Sequence, residues 1–431
     1  MTGALGWPAI VRLGLVQAAI GAMVMIPTSL LNRVMMVELG LVAAVPAGLV
    51  AWHYAVQLSR PMWGHGSDRG RRRTTWIVGG MGVLALGTLL AVDAAALLGR
   101  GSSAGTLLGI LAYAMIGGGV GAAGTSLLAL LAAGTAPERR APAAALTWVM
   151  MVAGIVVAAG SVGTLLEPFS LARLAFVTGG AVLTAFLVAV VAVHGVERRV
   201  AMSAPEAAES FPDALRGVWG DPVARRFTVF VFVSMLAYAM QDLILEPFGG
   251  LVFRLSPGAT TQLSGVHHGG VLAGMVAMGL LGRGRARVPD AGLDRWIMGG
   301  CLLSAAALVG LGIGARDPLH WPLTANLVLL GLGNGVFAAA AVATMMSLAG
   351  ADGGGRSGTR MGVWGAAQAI AFGAGGLLGA LTVDALRTAG QADAPAFQGA
   401  FAGEGLLFLC SAWLILHVSR APARPIARVT A

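Results

Sequence analysis

Long apolar stretches recur along the whole chain and are separated by short polar segments. Each stretch has about 20 residues, the length that an α-helix needs to cross the hydrocarbon core of a bilayer. The pattern predicts an all-α membrane protein with 12 transmembrane helices. The predicted spans run near Ile10–Leu31, Leu41–Leu58, Thr75–Val92, Thr106–Ala133, Ala143–Leu165, Leu171–Val193, Phe227–Phe248, Gln262–Leu281, Trp296–Ile313, Leu323–Leu348, Met361–Leu381 and Phe401–His417.

One polar segment is longer than the others and divides the spans into two groups of six. We therefore predict an N-terminal six-helix bundle over residues 1–194 and a C-terminal six-helix bundle over 227–431. The segment between them, residues 195–226, is predicted to be a cytoplasmic linker.

The composition supports a membrane protein and excludes several other classes. Hydrophobic residues make up 57% of the chain and charged residues only 11%, against about 25% charged in ordinary globular proteins. A soluble chain of this length could not cover its surface with so few charges. The same composition argues against a disordered chain, a coiled coil, a disulfide scaffold and a nucleic-acid-binding module.

The basic residues predict the orientation in the membrane. All 28 are arginines, and the chain has no lysine. If the N-terminus faces the cytoplasm, 22 arginines fall on the inner side and six on the outer side. Cytoplasmic loops of membrane proteins carry an excess of basic residues, so both termini are expected to be cytoplasmic.

The two halves share short sequence similarities at matching spans. Trp76–Gly80 opens the third span, and the similar Trp296–Gly300 opens the ninth. Trp148 of the fifth span and Trp364 of the eleventh are 216 positions apart. Two related six-helix halves resemble the major facilitator superfamily, which has two pseudo-symmetric bundles with a central site between them. The alternative is chance similarity among glycine-rich helices.

The loop between the second and third spans carries a cluster of glycine, aspartate and arginine. It resembles the cytoplasmic loop motif of the superfamily through Gly64, Asp68, Arg69 and Arg72, although one residue is missing between Asp68 and the final basic cluster. The resemblance implies that Asp68 helps to latch a cytoplasmic gate. The corresponding loop of the second half has no aspartate, so the latch is expected on one side only. The alternative, plain positive-inside charge, explains the arginines but not Asp68.

Glycines are closely spaced in two of the predicted spans. Gly119–Gly124 matches the G-x-G-x-x-G pattern of nucleotide-binding loops, but it lies in the middle of a span and no strand precedes it. Gly117 with Gly121, and Gly375 with Gly379, form G-x-x-x-G pairs. Small residues at this spacing allow close helix contact, so we interpret these glycines as packing positions.

Charged residues inside a span are costly and tend to be functional. Asp242 and Glu246 of the seventh span are four positions apart and therefore share a helical face. Arg33 or Arg254 could neutralise them at the outer end, where Glu38 also lies. These five residues form a predicted intramembrane charge cluster. The alternative is an ordinary ion pair between helices.

Three histidines also fall inside spans: His53, His267 and His268. They fit no zinc-binding pattern. A neutral imidazole in an apolar groove is, however, a suitable axial ligand for the magnesium of a chlorin. For each histidine taken alone, the alternative is a hydrogen-bonded structural role. No arrangement typical of a catalytic site is visible, and neither an enzyme nor a protein-bound metal site is expected.

Several stretches together resemble the PucC/LhaA family of phototrophic bacteria, also called the bacteriochlorophyll delivery family. The most distinctive is Ala237–Phe248, which contains the run Met-Gln-Asp-Leu-Ile-Leu-Glu-Pro-Phe. Further stretches are Arg12–Gln17, Leu31–Met35, His53–Gln57, Gly66–Asp68, Trp76–Met81 and Thr261–Gly270. Gln241, Asp242, Glu246 and Pro247 match the signature of the family in the seventh span.

The resemblance implies a role in assembling light-harvesting complexes in the bacterial inner or intracytoplasmic photosynthetic membrane. Such a protein would bind or deliver bacteriochlorophyll without a covalent bond and would chaperone antenna α/β polypeptides. The core complex, enzymes of pigment synthesis and the lipid bilayer are the other implied partners, whereas nucleic acid is not. Our pigment-binding hypothesis contains His53, Gln57, Gln241, His267 and His268.

The main alternative is a proton-coupled exporter of small amphipathic compounds. Such an exporter needs a carboxylate that gains and loses a proton near the middle of the membrane, and Asp242 is the best candidate.

Overall fold

The chain folds into a bundle of long helices. The computed structural model describes residues 5–60, 63, 72–197, 216, 219–220, 222–282, 292–350 and 357–419. Across these ranges, 12 long helices follow one another and no strand occurs. They are α1 (Trp7–Glu38), α2 (Ala44–Gln57), α3 (Arg73–Gly99), α4 (Ser103–Gly134), α5 (Pro137–Leu165), α6 (Leu171–Val193), α7 (Pro222–Leu251), α8 (Pro257–Gly282), α9 (Leu293–Gly314), α10 (Leu323–Gly350), α11 (Ser357–Thr388) and α12 (Asp393–Ser419).

The helices agree with the predicted spans in number and order. Among the described residues, eleven helices are long and apolar enough to cross a membrane. The remaining one, α2, has only 14 residues and matches the predicted second span. The protein is therefore a multi-pass integral membrane protein with the predicted all-α fold.

Helix α1 is not a regular α-helix over its whole length. Two π-helical segments, Ile26–Leu30 and Val34–Glu38, flank the short α-helical piece Leu31–Arg33. π-helical turns insert extra residues into a helix and often occur at functional sites. In α1 they lie at the segment that faces the second half of the chain.

The buried apolar side chains form two clusters. One is built almost entirely from residues before position 197, with only Leu243 and Ala380 added from the second half. The other lies wholly within residues 224–415. Each group of six helices therefore packs mainly around its own core. The boundaries given above for the bundles and the linker stay a prediction, and most of the linker lies outside the described residues.

Among the described residues, the two halves contact each other mainly through four pairs of helices. Helix α1 packs against α7 and α8, α2 packs against α11, and α5 packs against α8. The α5–α8 contact is very close, because a Cβ atom on Gly163 would lie 2.7 Å from the carbonyl oxygen of Gly258. Under the sequence repeat, α5 corresponds to α11 and α8 to α2, so two of the contacts are related by the pseudo-symmetry.

The closely spaced glycines have the predicted packing role. A Cβ atom on Gly117 would lie 2.5 Å from the carbonyl oxygen of His53 in α2. A Cβ on Gly119 would lie 2.6 Å from the backbone nitrogen of Leu84 in α3. Gly375 similarly abuts the backbone of α7 at Leu236. The interpretation as helix contacts is confirmed for Gly117, Gly119 and Gly375, whereas nothing lies within 4 Å of the Cβ position of Gly124 among the described residues.

Candidate functional site between the two halves

Glu246 of α7 lies in a buried polar network that joins three helices. Ser29 of α1 donates a hydrogen bond from Oγ to Glu246 Oε1 at 2.5 Å. Thr261 of α8 donates from Oγ1 to Glu246 Oε2 at 3.4 Å. The Oγ atoms of Ser29 and Ser264 are 3.4 Å apart. The network connects the two halves, since α1 belongs to the first half and α7 and α8 to the second.

Two residues next to Ser29 extend this connection. Asn32 donates from Nδ2 to the carbonyl oxygen of Leu243 at 2.7 Å. Arg33 is only 1% exposed; it forms an ion pair with Glu38 and donates to the carbonyl oxygen of Leu255 at 2.8 Å. The π-helical turns of α1 thus direct polar side chains toward α7 and the loop that follows it.

The predicted charge cluster is brought together only in part. Arg33 pairs with Glu38 and lies close enough to Glu246 for electrostatic attraction. Arg254 is exposed and has a left-handed backbone with φ of 58°. In the described part of the chain it forms no ion pair with Asp242 or Glu246. Arg33 is therefore the closer counter-charge for Glu246.

Asp242 has different surroundings from Glu246, although it lies one turn before it on α7. It is partly exposed, and its Oδ1 atom is buried without a hydrogen-bond partner. Tyr54 of α2, Tyr238 of α7 and Glu404 of α12 lie within its electrostatic range. Asp242 is thus a carboxylate with unused hydrogen-bonding capacity near the contact between the halves.

A row of aromatic rings crosses from one half to the other beside Asp242. The ring centroids of His53 and Tyr54 in α2 are 4.9 Å apart. Tyr54 is 5.7 Å from Phe372 of α11, and Phe372 is 5.8 Å from Tyr238 of α7. Tyr238 in turn lies 6.3 Å from Phe337 of α10. These separations are typical of packed aromatic pairs.

The residues of the pigment-binding hypothesis do not form one cluster. His53 and Gln57 contact each other in α2, with 2.8 Å between their Nε2 atoms. His267 is buried in the second half, where its Nε2 is 3.3 Å from Asn334 Nδ2. His268 is partly exposed, and its Nδ1 is 2.9 Å from the carbonyl oxygen of Ser264. Gln241 is fully buried, and neither polar atom of its side-chain amide has a hydrogen-bond partner in the described part of the chain.

Glu404 of α12 is a buried acidic residue that the sequence analysis missed. It is fully buried, and neither carboxylate oxygen has a hydrogen-bond partner. It lies on the α12 face that carries Phe401 and Phe408, whose rings contact Phe248 and Phe337 of the second-half core. The signal was present in the sequence, because Glu404 falls inside the predicted last span.

The structure describes only the last residue of the proposed gate motif. Gly64, Asp68 and Arg69 lie outside the described residues, whereas Arg72 is exposed just before α3. The backbone N–H groups of Arg73 and Thr74 donate to the two carboxylate oxygens of Glu197, at 2.6 and 2.9 Å. A residue that follows α6 therefore caps the start of α3, a contact that the sequence analysis did not foresee.

The arrangement of helices is that of the transporters of the major facilitator superfamily. A crystal structure of a bacterial homologue of the human lysosomal transporter Spinster, inward-facing and unoccupied, matches with a TM-score of 0.68 at 16% identity. It covers 97% of this chain and 100% of that one. A structure from work on substrate recognition in proton-dependent oligopeptide transporters gives a TM-score of 0.67 at 14% identity, covering 96% and 99% of the two chains. At these identities the similarity shows the fold alone.

Sequence similarity is more specific. The family model described as PUCC protein matches residues 30–423, and the chain belongs to this family. The "Bacteriochlorophyll synthase 44.5 kDa chain" of Rhodobacter capsulatus is 47% identical over 430 residues, which cover 99% of this chain and 98% of that protein. The "Protein PucC" of Cereibacter sphaeroides is 31% identical over 385 residues, covering 84% and 81%. The resemblance drawn from the sequence is confirmed.

Proposed function

We propose that this protein is a membrane assembly factor for bacterial light-harvesting complexes. It binds or delivers bacteriochlorophyll and chaperones antenna α/β polypeptides at the core complex or near the enzymes of pigment synthesis. Its place is the inner, intracytoplasmic photosynthetic membrane, with both termini in the cytoplasm. Membership of the PUCC family and the names of its relatives support this proposal.

The observation that carries the proposal is the row of aromatic rings between the halves. Tyr54, Phe372, Tyr238 and Phe337 present flat apolar faces, with only a few polar groups beside them. Such a surface suits a large planar macrocycle, because rings pack well against rings and apolar pockets bind apolar ligands. A sugar would need many more hydrogen-bonding groups around it.

The pigment is cargo in this proposal, and the chain does not change it chemically. One relative has the word synthase in its name, so this point needs its own test. Purified protein incubated with magnesium-containing pigment precursors should leave their absorption spectra and masses unchanged. Formation of a new pigment species by the purified chain alone would show that it is an enzyme.

A second candidate function is a proton-coupled exporter of amphipathic compounds. The observation that favours it is Asp242, which is partly exposed and has one buried oxygen without a partner. Export would appear in proteoliposomes as dye or drug flux that collapses with the pH gradient and in Asp242→Asn. The assembly function predicts no such flux, and Asp242→Asn should then leave the liposome assay unchanged.

Deletion in a phototrophic host tests the assembly function directly. The deletion strain should lose antenna absorbance while still making free pigment, and the intact gene should restore the antenna. Normal antenna absorbance in the deletion strain would contradict the proposal.

A further inference from the structure

The three histidines inside the helices differ in which ring nitrogen is already occupied. Gln57 Oε1 accepts a hydrogen bond from Arg60 Nη2, so its Nε2 is the atom turned toward His53. An amide nitrogen only donates, and His53 Nε2 must therefore accept with its lone pair. The remaining nitrogen of His53, Nδ1, is buried and has no hydrogen-bond partner among the described residues. His53 has no accessible lone pair left for a ligand.

His267 is occupied in the same way. Ser304 Oγ donates to Asn334 Oδ1 at 2.8 Å, which leaves Asn334 Nδ2 as the atom facing His267 Nε2 at 3.3 Å. Because Asn334 Nδ2 only donates, the lone pair of His267 Nε2 is also used. His267 is 2% exposed, and its ring packs edge-on against the ring of His268 with 5.1 Å between the centroids. These contacts give His267 a structural role within the second half.

His268 has the opposite tautomer. Its Nδ1 lies 2.9 Å from the carbonyl oxygen of Ser264, and a carbonyl oxygen only accepts. Nδ1 therefore carries the proton, and Nε2 of the neutral ring keeps a free lone pair. The side chain is partly exposed, and Nε2 forms no hydrogen bond within the described residues. In many metal-binding histidines, one ring nitrogen donates a hydrogen bond to a backbone carbonyl and the other binds the metal.

The position of His268 places that nitrogen between the halves. Ser264 lies one helical turn earlier on the same face of α8, and its Oγ is 3.4 Å from Ser29 Oγ of α1. His268 therefore lies on α8 one turn beyond the Ser29–Glu246 network, on the face that is turned toward the first half.

We infer that His268 Nε2 would bind the magnesium of a chlorin pigment, and that His53 and His267 would not serve as ligands. The inference rests on the proposed function, because it names the atom that would hold the pigment. The fit lies in the chemistry of the donor: a neutral, oriented imidazole with one free lone pair.

Pigment titration with a coordination readout tests this assignment. Purified protein in detergent is titrated with bacteriochlorophyll a, and resonance Raman bands that report the coordination number of magnesium are recorded. His268→Leu should weaken binding roughly ten-fold or more and abolish the signature of nitrogen ligation. His268→Gly should recover that signature when free imidazole is added. His53→Leu and His267→Leu are the matched controls and should keep the signature of nitrogen ligation; their affinity is not compared, because the two rings pack against Tyr54 and His268.

The outcomes separate the inference from the function on which it rests. An unchanged nitrogen signature in His268→Leu would overturn the ligand assignment and leave pigment binding intact. Loss of the signature in His53→Leu or His267→Leu, with His268→Leu unaffected, would also overturn it. No binding of pigment by the wild-type protein would instead contradict the proposed function itself.

A second, independent observation concerns two carboxylates that connect the halves. Both lie at the capped end, which we define as the end of the bundle where α2 and α8 begin. Asp384 of α11 accepts hydrogen bonds from the N–H groups of Ala43 and Ala44, at 3.0 Å to Oδ1 and 2.7 Å to Oδ2. These N–H groups open α2 and have no acceptor within their own helix. A carboxylate at this position also interacts favourably with the helix dipole.

Glu167, just after α5, makes the corresponding contact with α8. It accepts a hydrogen bond from Ser256 Oγ, and Ser256 Oγ accepts one from the N–H group of Ala259 at 3.2 Å. Ser256 is thus the N-cap of α8, and Glu167 holds that cap from the other half. A Cβ atom on Gly258 would lie 2.5 Å from Glu167 Oε1, which shows how closely the carboxylate approaches.

The two contacts are related by the internal repeat. Trp148 of α5 and Trp364 of α11 are 216 positions apart. Shifted by the same 216 positions, Glu167 falls one position before Asp384. Glu167 and Asp384 therefore lie at the ends of two equivalent helices, α5 and α11. Each binds the start of a helix in the opposite half, and these two helices, α8 and α2, are also equivalent.

We propose that Glu167 and Asp384 form a pair of clasps that hold the capped end shut and must be released for the halves to separate there. Each clasp consists of hydrogen bonds between a carboxylate and the start of a helix. Breaking it therefore leaves no unpaired charge buried in the apolar core. Opening at this end then requires both carboxylates to leave their helix starts.

Distance measurements between spin labels test the clasps. Ser103→Cys and Leu319→Cys place labels on exposed residues at the capped end of the two halves, in a chain that also carries Cys301→Ala and Cys410→Ala.

Glu167→Gln with Asp384→Asn should add a population at longer distance. Ser256→Ala, which removes only the hydroxyl, should shift the distribution in the same direction. Asp393→Asn is the matched control, because Asp393 pairs with Arg387 within the second half at the same end.

An unchanged distance distribution in the double variant and in Ser256→Ala would overturn the clasp proposal. So would an equal shift in Asp393→Asn, since that would reflect general loosening of the capped end.

Discussion

Ser29 and Glu246 are 217 positions apart in the chain, yet the hydroxyl of one donates to the carboxylate of the other at 2.5 Å inside the bundle. The bond joins a π-helical turn of α1 to α7 and so fixes how the two halves meet. Thr261 and Ser264 of α8 surround the same carboxylate. This junction is the most polar point described between the halves.

Glu246→Ala should destabilise the protein without removing it from the membrane. The change leaves the hydroxyls of Ser29 and Thr261 unpaired, at a cost of about 1 kcal/mol for two interhelical hydrogen bonds. Glu246→Gln retains an acceptor and should cost less, but it should still impair antenna assembly. Thermal unfolding in detergent and antenna absorbance of the cells measure the two effects.

Glu138→Gln serves as the control, because Glu138 is exposed in the first turn of α5 and lies outside this network. Wild-type stability and wild-type antenna absorbance in both Glu246 variants would remove this residue from the site.

Gly119→Ala should lower the stability by about 1–3 kcal/mol, the usual range for overpacking. The new methyl group would meet the backbone of α3 at Gly80 and Leu84, which cannot move aside as a flexible side chain could. Gly124→Ala on the same helix is the control, since nothing lies within 4 Å of its Cβ position. Equal unfolding temperatures for the two variants would show that the close contact of α3 and α4 has no energetic weight.

Glu404→Gln should leave the protein as stable as the wild type or make it more stable. The carboxyl group is fully buried, neither oxygen has a partner among the described residues, and keeping a charge in such a place is costly. The amide has nearly the same shape and carries no charge. A marked fall in the unfolding temperature of Glu404→Gln would indicate that the carboxylate has a partner, such as a bound cation, that the amide cannot hold.

Most of the fold could be predicted from the sequence, because apolar runs of about 20 residues are a strong signal for membrane helices. The predicted ends of the helices were less accurate. Helix α12 begins at Asp393 rather than near Phe401, and α8 at Pro257 rather than near Gln262. In both cases the first turns contain polar residues, which hydropathy alone assigns to a loop although the helix continues beyond the apolar core.

The site was harder to predict, because it depends on which residues from distant helices meet. Nothing in the sequence indicated that Ser29 would contact Glu246, or that Asp384 would cap α2. The π-helical turns of α1 rotate Asn32 and Arg33 in a way that a regular helical period does not predict. Hydrogen-bond partners, which distinguish His268 from His53 and His267, can only be read from three-dimensional contacts.

An inventory of what the protein carries when it is isolated from a phototrophic host tests pigment and antenna binding most directly. Affinity-purified protein in mild detergent would be examined by absorption spectroscopy and by mass spectrometry of pigments and peptides. Bacteriochlorophyll is expected in near-integer ratio to the protein, together with antenna α or β polypeptides. Protein that comes out free of both, from cells actively assembling antenna, would contradict the proposal.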